Sequence, residues 1–243
     1  MRPENTLEAF EAAIEVGADV VELDVRVTAD NVPVVMHDAD LSRTTDGTGF
    51  VHEIALKELK GFSVKRRRGP RAEVPTVREA LEVLAGRAEV NLEIKNMPGE
   101  PSFDSPREVA AEHAVRLVEE FGLQDTALLS SFNWLSIERV RELNPRIGTG
   151  FLTIAAIDPV AALVYARSKG HSFVLPQAPA VFSAGEEFVR QAHDDGIRVG
   201  AWVMDEEDGL RDLFAMGVDA VASNRPDVAV VVRDRFRNGG RTD

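Results

Sequence analysis

The sequence contains no cysteine, which excludes disulfide bonds and thiolate metal sites. No apolar run reaches the roughly 20 residues that a membrane-spanning helix needs, so stable insertion into a membrane is not expected. The beginning of the chain lacks a basic segment followed by an apolar stretch, so no secretory signal is visible. We therefore expect a cytoplasmic protein, unless a signal peptide precedes Met1.

Positive charge is also scarce. The chain has 28 Lys and Arg residues against 41 Asp and Glu residues, which gives a formal net charge of −13 at pH 7. Nucleic acids and anionic membranes need positive charge on a protein, so neither is expected as a partner. A small anionic substrate is still compatible with a locally positive or metal-bearing site. With 243 residues, of which 44% are hydrophobic, the chain is long enough for one large domain, 1–243.

The spacing of apolar residues predicts strands that alternate with helices along the chain. Eight helices are predicted, and the first begins with Asn5 as its N-cap. Seven principal strands are predicted near 20–27, 89–94, 127–131, 147–152, 172–176, 198–204 and 219–223. Such alternation is typical of parallel βαβ units. A (β/α)8 TIM barrel begins with a strand, so the pattern predicts an α/β barrel that lacks its first strand.

The stretch 33–37 departs from this alternation. Too few residues separate it from the strand at 20–27 for a parallel crossover, so it is predicted to be an antiparallel hairpin arm. With Asp30-Asn31 as a two-residue turn, His37 lies opposite Asp24 to within about one residue. Residues 38–75 then form a small insertion after the second strand of the barrel, at the face where such barrels place their sites.

Acidic residues follow the polar face of two predicted strands. Glu22 and Asp24 alternate with valine and leucine, and taken alone they fit the solvated face of an antiparallel strand equally well. Glu93 repeats this pattern, and in a barrel all three side chains converge. Three converging acids repel each other unless a cation lies between them, and oxygen ligands suit Mg²⁺ or Ca²⁺. The alternative for Glu93 is an ordinary ion pair with Lys95.

Two further residues are candidates for the chemistry. Alone, His37 fits a hydrogen-bonded structural histidine, but beside a metal-bound phosphate it becomes a general acid that protonates an alkoxide near neutral pH. Trp202 lies on the predicted strand 198–204, which ends near the same face of the barrel. Most such tryptophans belong to the core, but one at a barrel mouth packs against the carbon skeleton of a substrate.

Together these segments resemble the glycerophosphodiester phosphodiesterase family. The resemblance rests on PENTLEAFEAAIEVGADVVELDVRVTADNVPVVMHDADLSRTTDGTG, followed in order by VPTVREAL, NLEIK, SSF, AWVMDEED and GVDAVASNRPD, and covers essentially the whole chain. It implies that Glu22, Asp24 and Glu93 bind one divalent cation, Ca²⁺ or Mg²⁺. It further implies that His37 is one of two catalytic histidines, that Lys95 faces the phosphate, and that Trp202 lies at the substrate pocket.

The resemblance also implies an activity, the metal-dependent hydrolysis of glycerophosphodiesters to sn-glycerol 3-phosphate and an alcohol, as part of lipid and glycerol metabolism. The metal would bind a phosphate oxygen and the glycerol hydroxyl that attacks phosphorus. His37 would protonate the departing alcohol, and water would then open the cyclic phosphate.

One departure from the family pattern qualifies this expectation. The family begins with a strand that ends in His-Arg-Gly, about ten residues before PENT, and supplies the second histidine and a phosphate-binding arginine. Here only Met1-Arg2 precedes Pro3. The printed chain is therefore expected to be nearly inactive, and unpaired strand edges are expected to favour a homo-oligomer. The alternatives are a truncated or degenerate member that binds metal and phosphodiester without efficient catalysis, and a lysophospholipase D-like barrel phosphodiesterase.

Overall fold

The computed structural model describes residues 2–66 and 71–239, which group into two compact units. The first comprises the described parts of Met1–Glu15 and Asp19–Ile147, and the second those of Val16–Ala18 and Gly148–Asp243. None of the helices in the described ranges has the length and apolar character needed to cross a membrane. One domain over 1–243 stays a prediction.

The first unit contains a small sheet covered by helices. Its strands are β1 (Val20–Val27), β2 (Pro33–Val35), β3 (Glu89–Ile94) and β4 (Leu128–Ser131). Its helices are α1 (Leu7–Glu15), α2 (Leu56–Leu59), α3 (Val77–Leu84), α4 (Val109–Glu120) and α5 (Trp134–Leu143). Strands β1, β3 and β4 are parallel neighbours, and β2 pairs antiparallel with β1. The predicted parallel order and the antiparallel arm are confirmed.

The core of the first unit fixes the register of β1 against β3. The apolar residues of both strands are buried among helices α1, α3 and α4, and they are Val21, Leu23, Val25, Val90, Leu92 and Ile94. Because side chains alternate along a strand, a slip of one residue would carry the acids of β1 into this core. The buried residues therefore also determine where the acidic residues lie.

The hairpin between β1 and β2 differs from the prediction by one residue. Val25 pairs with Val35, and the Met36 N–H donates to the Asp24 carbonyl at 3.0 Å, so Met36 rather than His37 lies opposite Asp24. Asn31 has a φ of 63°, in the left-handed region that asparagine tolerates. The loop consequently has three residues between Thr28 and Val32, whose backbones are hydrogen-bonded.

The predicted insertion at 38–75 has a small core of its own. It contains a 3₁₀ turn (Val51–Glu53) and helix α2, and two isolated bridges join Asp40 to Phe50 and Thr45 to Val64. Its buried residues pack with those of the β2 arm, namely Val34, Met36, Leu41, Val51, Ile54, Leu59, Val64 and Val74. Residues 67–70, within the basic stretch 65–71 of this insertion, lie outside the described residues.

The second unit continues the parallel arrangement. Its strands are β5 (Gly148–Thr153), β6 (Phe173–Pro176), β7 (Arg198–Ala201) and β8 (Ala220–Val221), paired in that order. Its helices are α6 (Pro159–Lys169), α7 (Ala178–Asp194), α8 (Glu207–Ala215) and α9 (Pro226–Gly239). Helix α7 consists of two helical segments separated by a break at Gly185, whose φ is 75°.

Among the described residues, one edge of β1 is unpaired over part of its length. Within the described part of the first unit, β2 covers only Val25–Val27 of β1, and no strand pairs with that edge over 20–23. Val20 is accordingly 41% exposed. That the barrel lacks its first strand stays a prediction.

The N-terminus of α3 holds the β2 arm in place. Thr76 and Glu79 form a reciprocal capping box. The preceding carbonyl, that of Pro75, accepts a hydrogen bond from the Val35 N–H at 2.8 Å. The cap therefore stabilises both the helix and the arm that leads to His37.

We predict that Thr76→Ala lowers the free energy of unfolding by about 1 kcal/mol, the usual loss when an N-cap hydroxyl is removed. Thr76→Ser keeps the hydroxyl and is the matched control. Urea denaturation of the three proteins measures the difference. Equal midpoints for the wild type and Thr76→Ala would show that the cap does not stabilise this unit.

Candidate active site

Three carboxylates converge at the polar face of β1 and β3. Asp24 lies directly beside Glu93 in the parallel ladder, and Glu22 precedes Asp24 by two residues on the same strand. One oxygen from each of the three lies within 4.8 Å of the other two. Asp24 is only 4% exposed, Glu93 is half-buried, and Glu22 lies on the solvent side. The structure thus brings together the three acids that the sequence analysis selected.

The proximity of these acids makes their ionised forms costly. Loss of hydration, then the charges of Asp24 and Glu93, raise the pKa of Glu22 well above its ordinary range. Burial likewise raises the pKa of Glu93, although the charge of Lys95 opposes the shift. Because Glu22 keeps solvent-accessible surface, it loses only part of its hydration. Repulsion by Asp24 and Glu93 therefore contributes substantially to its raised pKa.

Lys95 offsets part of the negative charge. Its ammonium group donates to Glu93 Oε1 and lies 3.0 Å from Asp24 Oδ1. Burial acts to lower the pKa of Lys95, but the two carboxylates outweigh it, so the pKa is raised and the side chain stays charged. With all three acids ionised, two negative charges remain uncompensated. Closely spaced oxygen donors with a net negative charge fit a hard divalent cation such as Mg²⁺ or Ca²⁺.

Asn5 orients one of the three acids. Its Nδ2 donates to Asp24 Oδ2 at 2.7 Å, and its Oδ1 accepts from the Asp24 backbone N–H at 3.3 Å. The prediction that Asn5 caps α1 is wrong, because Thr6 occupies that position and its hydroxyl accepts from the Ala9 N–H. Asn5 itself has a φ of 54°, which turns its side chain toward β1. Asn5 and Thr6 are both of a type that commonly caps helices, but only one residue can be the N-cap of α1. Their succession was the signal in the sequence that one of them has a different hydrogen-bond partner.

His37 follows the end of the β2 arm and is oriented by the residue after it. Its Nδ1 lies 2.6 Å from Asp38 Oδ1. Hydrogen bonds from Arg43 are the main cause that lowers the pKa of Asp38 to about 2, so this carboxylate is an acceptor only. His37 Nδ1 is therefore the donor in its hydrogen bond with Asp38, and Nε2 remains available for proton transfer. About half of the His37 side chain is exposed.

The orienting carboxylate is itself fixed by an arginine. Arg43 Nη2 donates to Asp38 Oδ1 at 3.0 Å, and Arg43 Nη1 donates to Glu4 Oε2 at 3.0 Å. Glu4 belongs to the segment before α1, whereas Asp38 and Arg43 belong to the insertion. One guanidinium therefore connects the chain before α1 to the residue that orients His37.

Trp202 belongs to the second unit, directly after β7. The predicted strand ends three residues early because Trp202 forms an isolated bridge with Gln177. Its Nε1 donates to the Leu175 carbonyl at 2.8 Å, which anchors the indole. Its assignment to the substrate pocket remains a prediction.

Comparison with known proteins decides the family. The model of the Glycerophosphoryl diester phosphodiesterase family matches residues 1–228. The chain belongs to this family. A glycerophosphodiester phosphodiesterase of Bacillus altitudinis is 31% identical, over 97% of this chain and 94% of the relative. One from Caldanaerobacter subterraneus is 29% identical, over 98% of this chain and 94% of the relative.

Solved structures of the phosphodiesterase family share the fold. A phosphodiesterase from Oleispira antarctica, in complex with the product sn-glycerol-3-phosphate, has a TM-score of 0.82 and is 28% identical, over 96% of this chain and 92% of that chain. A structure from Silicibacter pomeroyi has a TM-score of 0.84 at 24% identity, over 98% of this chain and 90% of that chain, and it supports the fold alone. These matches confirm the predicted α/β barrel class and the resemblance.

The raised pKa of Glu22 leads to a prediction for the metal-free protein. Between the unfolded pKa and the raised folded pKa, the folded state binds more protons than the unfolded state, so stability falls as pH rises through that window. Glu22→Gln removes this repulsion. We expect its thermal midpoint at pH 7.5, without metal, to rise by about 2–4 °C, the shift that about 1 kcal/mol produces in a chain of this size.

The same variant should lose its response to cations. Wild-type protein should be stabilised by about 2.7 kcal/mol when Ca²⁺ or Mg²⁺ is present at 100 times its dissociation constant, and Glu22→Gln should gain much less. Glu89→Gln, an exposed acid at the start of β3, is the matched control. A metal response equal to that of wild type in Glu22→Gln would remove Glu22 from the ligands.

The low pKa of Asp38 leads to a second prediction. Its folded pKa of about 2 lies below the ordinary value of about 3.9, so its stabilising effect is complete above about pH 4 and disappears as pH falls toward 2. Asp38→Asn should therefore lower the free energy of unfolding by about 1 kcal/mol at pH 7. This value is small because the partners of Asp38 are half-exposed and water screens their charges. The loss should shrink between pH 4 and pH 2. Urea denaturation across this range tests it, and a constant difference would contradict it.

Proposed function

We propose that this protein hydrolyses glycerophosphodiesters to sn-glycerol 3-phosphate and an alcohol, as a metal-dependent phosphoric diester hydrolase. The observation that carries the proposal is the cluster of Glu22, Asp24 and Glu93, with Lys95 bound to it, in a chain of this family. The Oleispira antarctica relative, solved with the product sn-glycerol-3-phosphate, supports the same substrate class.

The three carboxylates would hold one divalent cation, Mg²⁺ or Ca²⁺. When bound, such an ion neutralises charge on a phosphoryl oxygen and lowers the pKa of a coordinated hydroxyl group. The protein contributes the arrangement of the ligands. Asn5 fixes the Asp24 carboxylate through one of its oxygens, which leaves Oδ1 directed toward Lys95.

His37 would act as the general acid. Asp38 accepts a hydrogen bond from His37 Nδ1, so the other ring nitrogen, Nε2, is available to donate or accept a proton. A proton delivered from Nε2 to the departing alkoxide avoids the release of a strong base into water. Such transfer typically contributes about 10²–10⁴-fold in rate.

Lys95 would bind the phosphate of the substrate. Its ammonium group is buried and is held by two acids, so it has a fixed position and keeps its charge. In the transition state it would offset negative charge that develops on the phosphoryl oxygens. Trp202, in the second unit, would pack against the carbon skeleton of a small-molecule substrate.

Binding of metal and phosphodiester without turnover is the second candidate. The observation that favours it concerns the other histidines of the first unit. His52 packs against the Phe50 ring with centroids 5.7 Å apart, and His113 is buried in α4 beside Arg116. In the described part of this unit, therefore, both rings contact neighbours other than His37.

A substrate panel separates these functions. Purified protein is incubated with glycerophosphocholine, glycerophosphoethanolamine or lysophosphatidylcholine, with Ca²⁺, Mg²⁺ or EDTA, and products are followed by ³¹P NMR. Release of sn-glycerol 3-phosphate that EDTA abolishes supports the proposal. Calorimetric binding without turnover supports the second candidate, and turnover confined to lysophosphatidylcholine points to a lysophospholipase D-like enzyme.

We predict that His37→Ala reduces turnover about 10²–10⁴-fold while substrate binding changes little, because a general acid acts mainly in the transition state. A p-nitrophenyl ester should suffer less than glycerophosphocholine, since its leaving group needs less protonation. His193→Ala, an exposed histidine paired with Asp219 in the second unit, is the control. Equal losses on both substrates would exclude His37 as the acid.

A further inference from the structure

Arg26 is a buried cation on the same face of β1 as the two acids. Side chains alternate along a strand, so Glu22, Asp24 and Arg26 share one face. Arg26 is only 5% exposed, and arginine is rarely buried to this extent unless its charge is paired. It does not belong to the carboxylate cluster.

The guanidinium of Arg26 binds the backbone of two site residues. Its Nε donates to the His37 carbonyl at 2.9 Å, and its Nη1 donates to the Lys95 carbonyl at 3.4 Å. Nη1 and Nη2 also bind the Glu100 carboxylate, at 2.7 and 3.1 Å, in a bidentate pair. All three nitrogens are engaged in this way, so Arg26 is not available to bind a substrate itself.

The contact with His37 lies where the strand ladder ends. Strand β2 has only three residues, and the last backbone bond that follows it is Met36 N–H to the Asp24 carbonyl. The carbonyl of the following residue, His37, is bound by a side chain rather than by a strand. Arg26 thereby extends the attachment of the arm to β1 by one residue, the residue that carries the imidazole.

We infer that Arg26 is a positioning residue, which holds the His37 backbone to the strand that carries the acids. Its catalytic consequence rests on the proposed function of His37, but its structural role does not. Glu100, on the loop after β3, anchors the guanidinium and offsets its buried charge. A lysine at this position would keep the charge, but its single nitrogen could not make all four contacts of the guanidinium.

The test compares matched variants of the whole chain. Arg26→Lys removes the fork but keeps the charge. Arg87→Lys is the control, because Arg87 forms the same bidentate pair with Glu11, at 3.0 and 2.7 Å, and contacts no candidate site residue. Should Arg26→Lys fail to fold, Glu100→Gln weakens the anchor of the guanidinium and is expected to give a smaller effect in the same direction.

The first measurement does not depend on activity. The imidazole signals of His37 are assigned in ¹H–¹⁵N NMR spectra by their loss in His37→Ala. Arg26→Lys should shift or broaden these signals, whereas Arg87→Lys should leave them unchanged. Unchanged His37 signals in folded Arg26→Lys and Glu100→Gln would overturn the inference.

The second measurement is the kinetic consequence. Arg26→Lys should lower kcat about 10–100-fold on glycerophosphocholine, as expected when an acid–base group is displaced by a fraction of an ångström, with KM changed by less than about 3-fold. In the His37→Ala background the same substitution should have little effect, because there is no imidazole left to position. Additive losses would overturn an action through His37, even if the NMR signals shift.

The two proposals fail in different ways. Wild-type protein without turnover on any phosphodiester would refute the proposed function, while the NMR comparison would still decide whether Arg26 positions His37. Turnover in wild type with an undiminished kcat in Arg26→Lys would leave the proposed function intact and refute the kinetic role of Arg26.

Discussion

Repulsion among three carboxylates is the constraint on which the rest of the site depends. Two unit charges 4.8 Å apart repel each other by about 3 kcal/mol at an effective dielectric constant near 20. The fold tolerates this because the opposite faces of β1 and β3 bury six apolar side chains. Each contributes about 1.5–3 kcal/mol, and this burial fixes the register that brings Asp24 beside Glu93.

Polar side chains around the cluster then hold each group at a defined position. Lys95 lies against two of the acids, and Asn5 fixes one oxygen of Asp24. Asp38 orients His37 from outside the cluster. Lys95 follows β3, Asn5 precedes α1 and Asp38 lies in the insertion, so these groups come from three different segments. The site is consequently an assembly of loop residues around two strands whose positions the core determines.

Much of this arrangement follows from the sequence. Period-two alternation places Glu22, Asp24 and Glu93 on one face, and the bounds predicted for β3, 89–94, match the structure. The register of the arm could not be predicted to the residue, because it depends on whether Asn31 adopts a left-handed conformation. The role of Asn5 was missed because a helix cap and a hydrogen bond to a distant strand call for the same residue type.

Arg26 shows why the remaining parts could not be read from local patterns. Along one face of β1 the polar residues change from acid, at Glu22 and Asp24, to base. The carboxylate partner of Arg26 is not in the strand, because this partner, Glu100, lies 74 residues further along the chain. The structure gives a physical reason for this change of charge. Glu22 and Asp24 belong to the carboxylate cluster, whereas Arg26 faces backbone carbonyls, which only a donor can satisfy. The polar face of a single strand thus carries the clustered acids at one end and anchors the surrounding loops at the other.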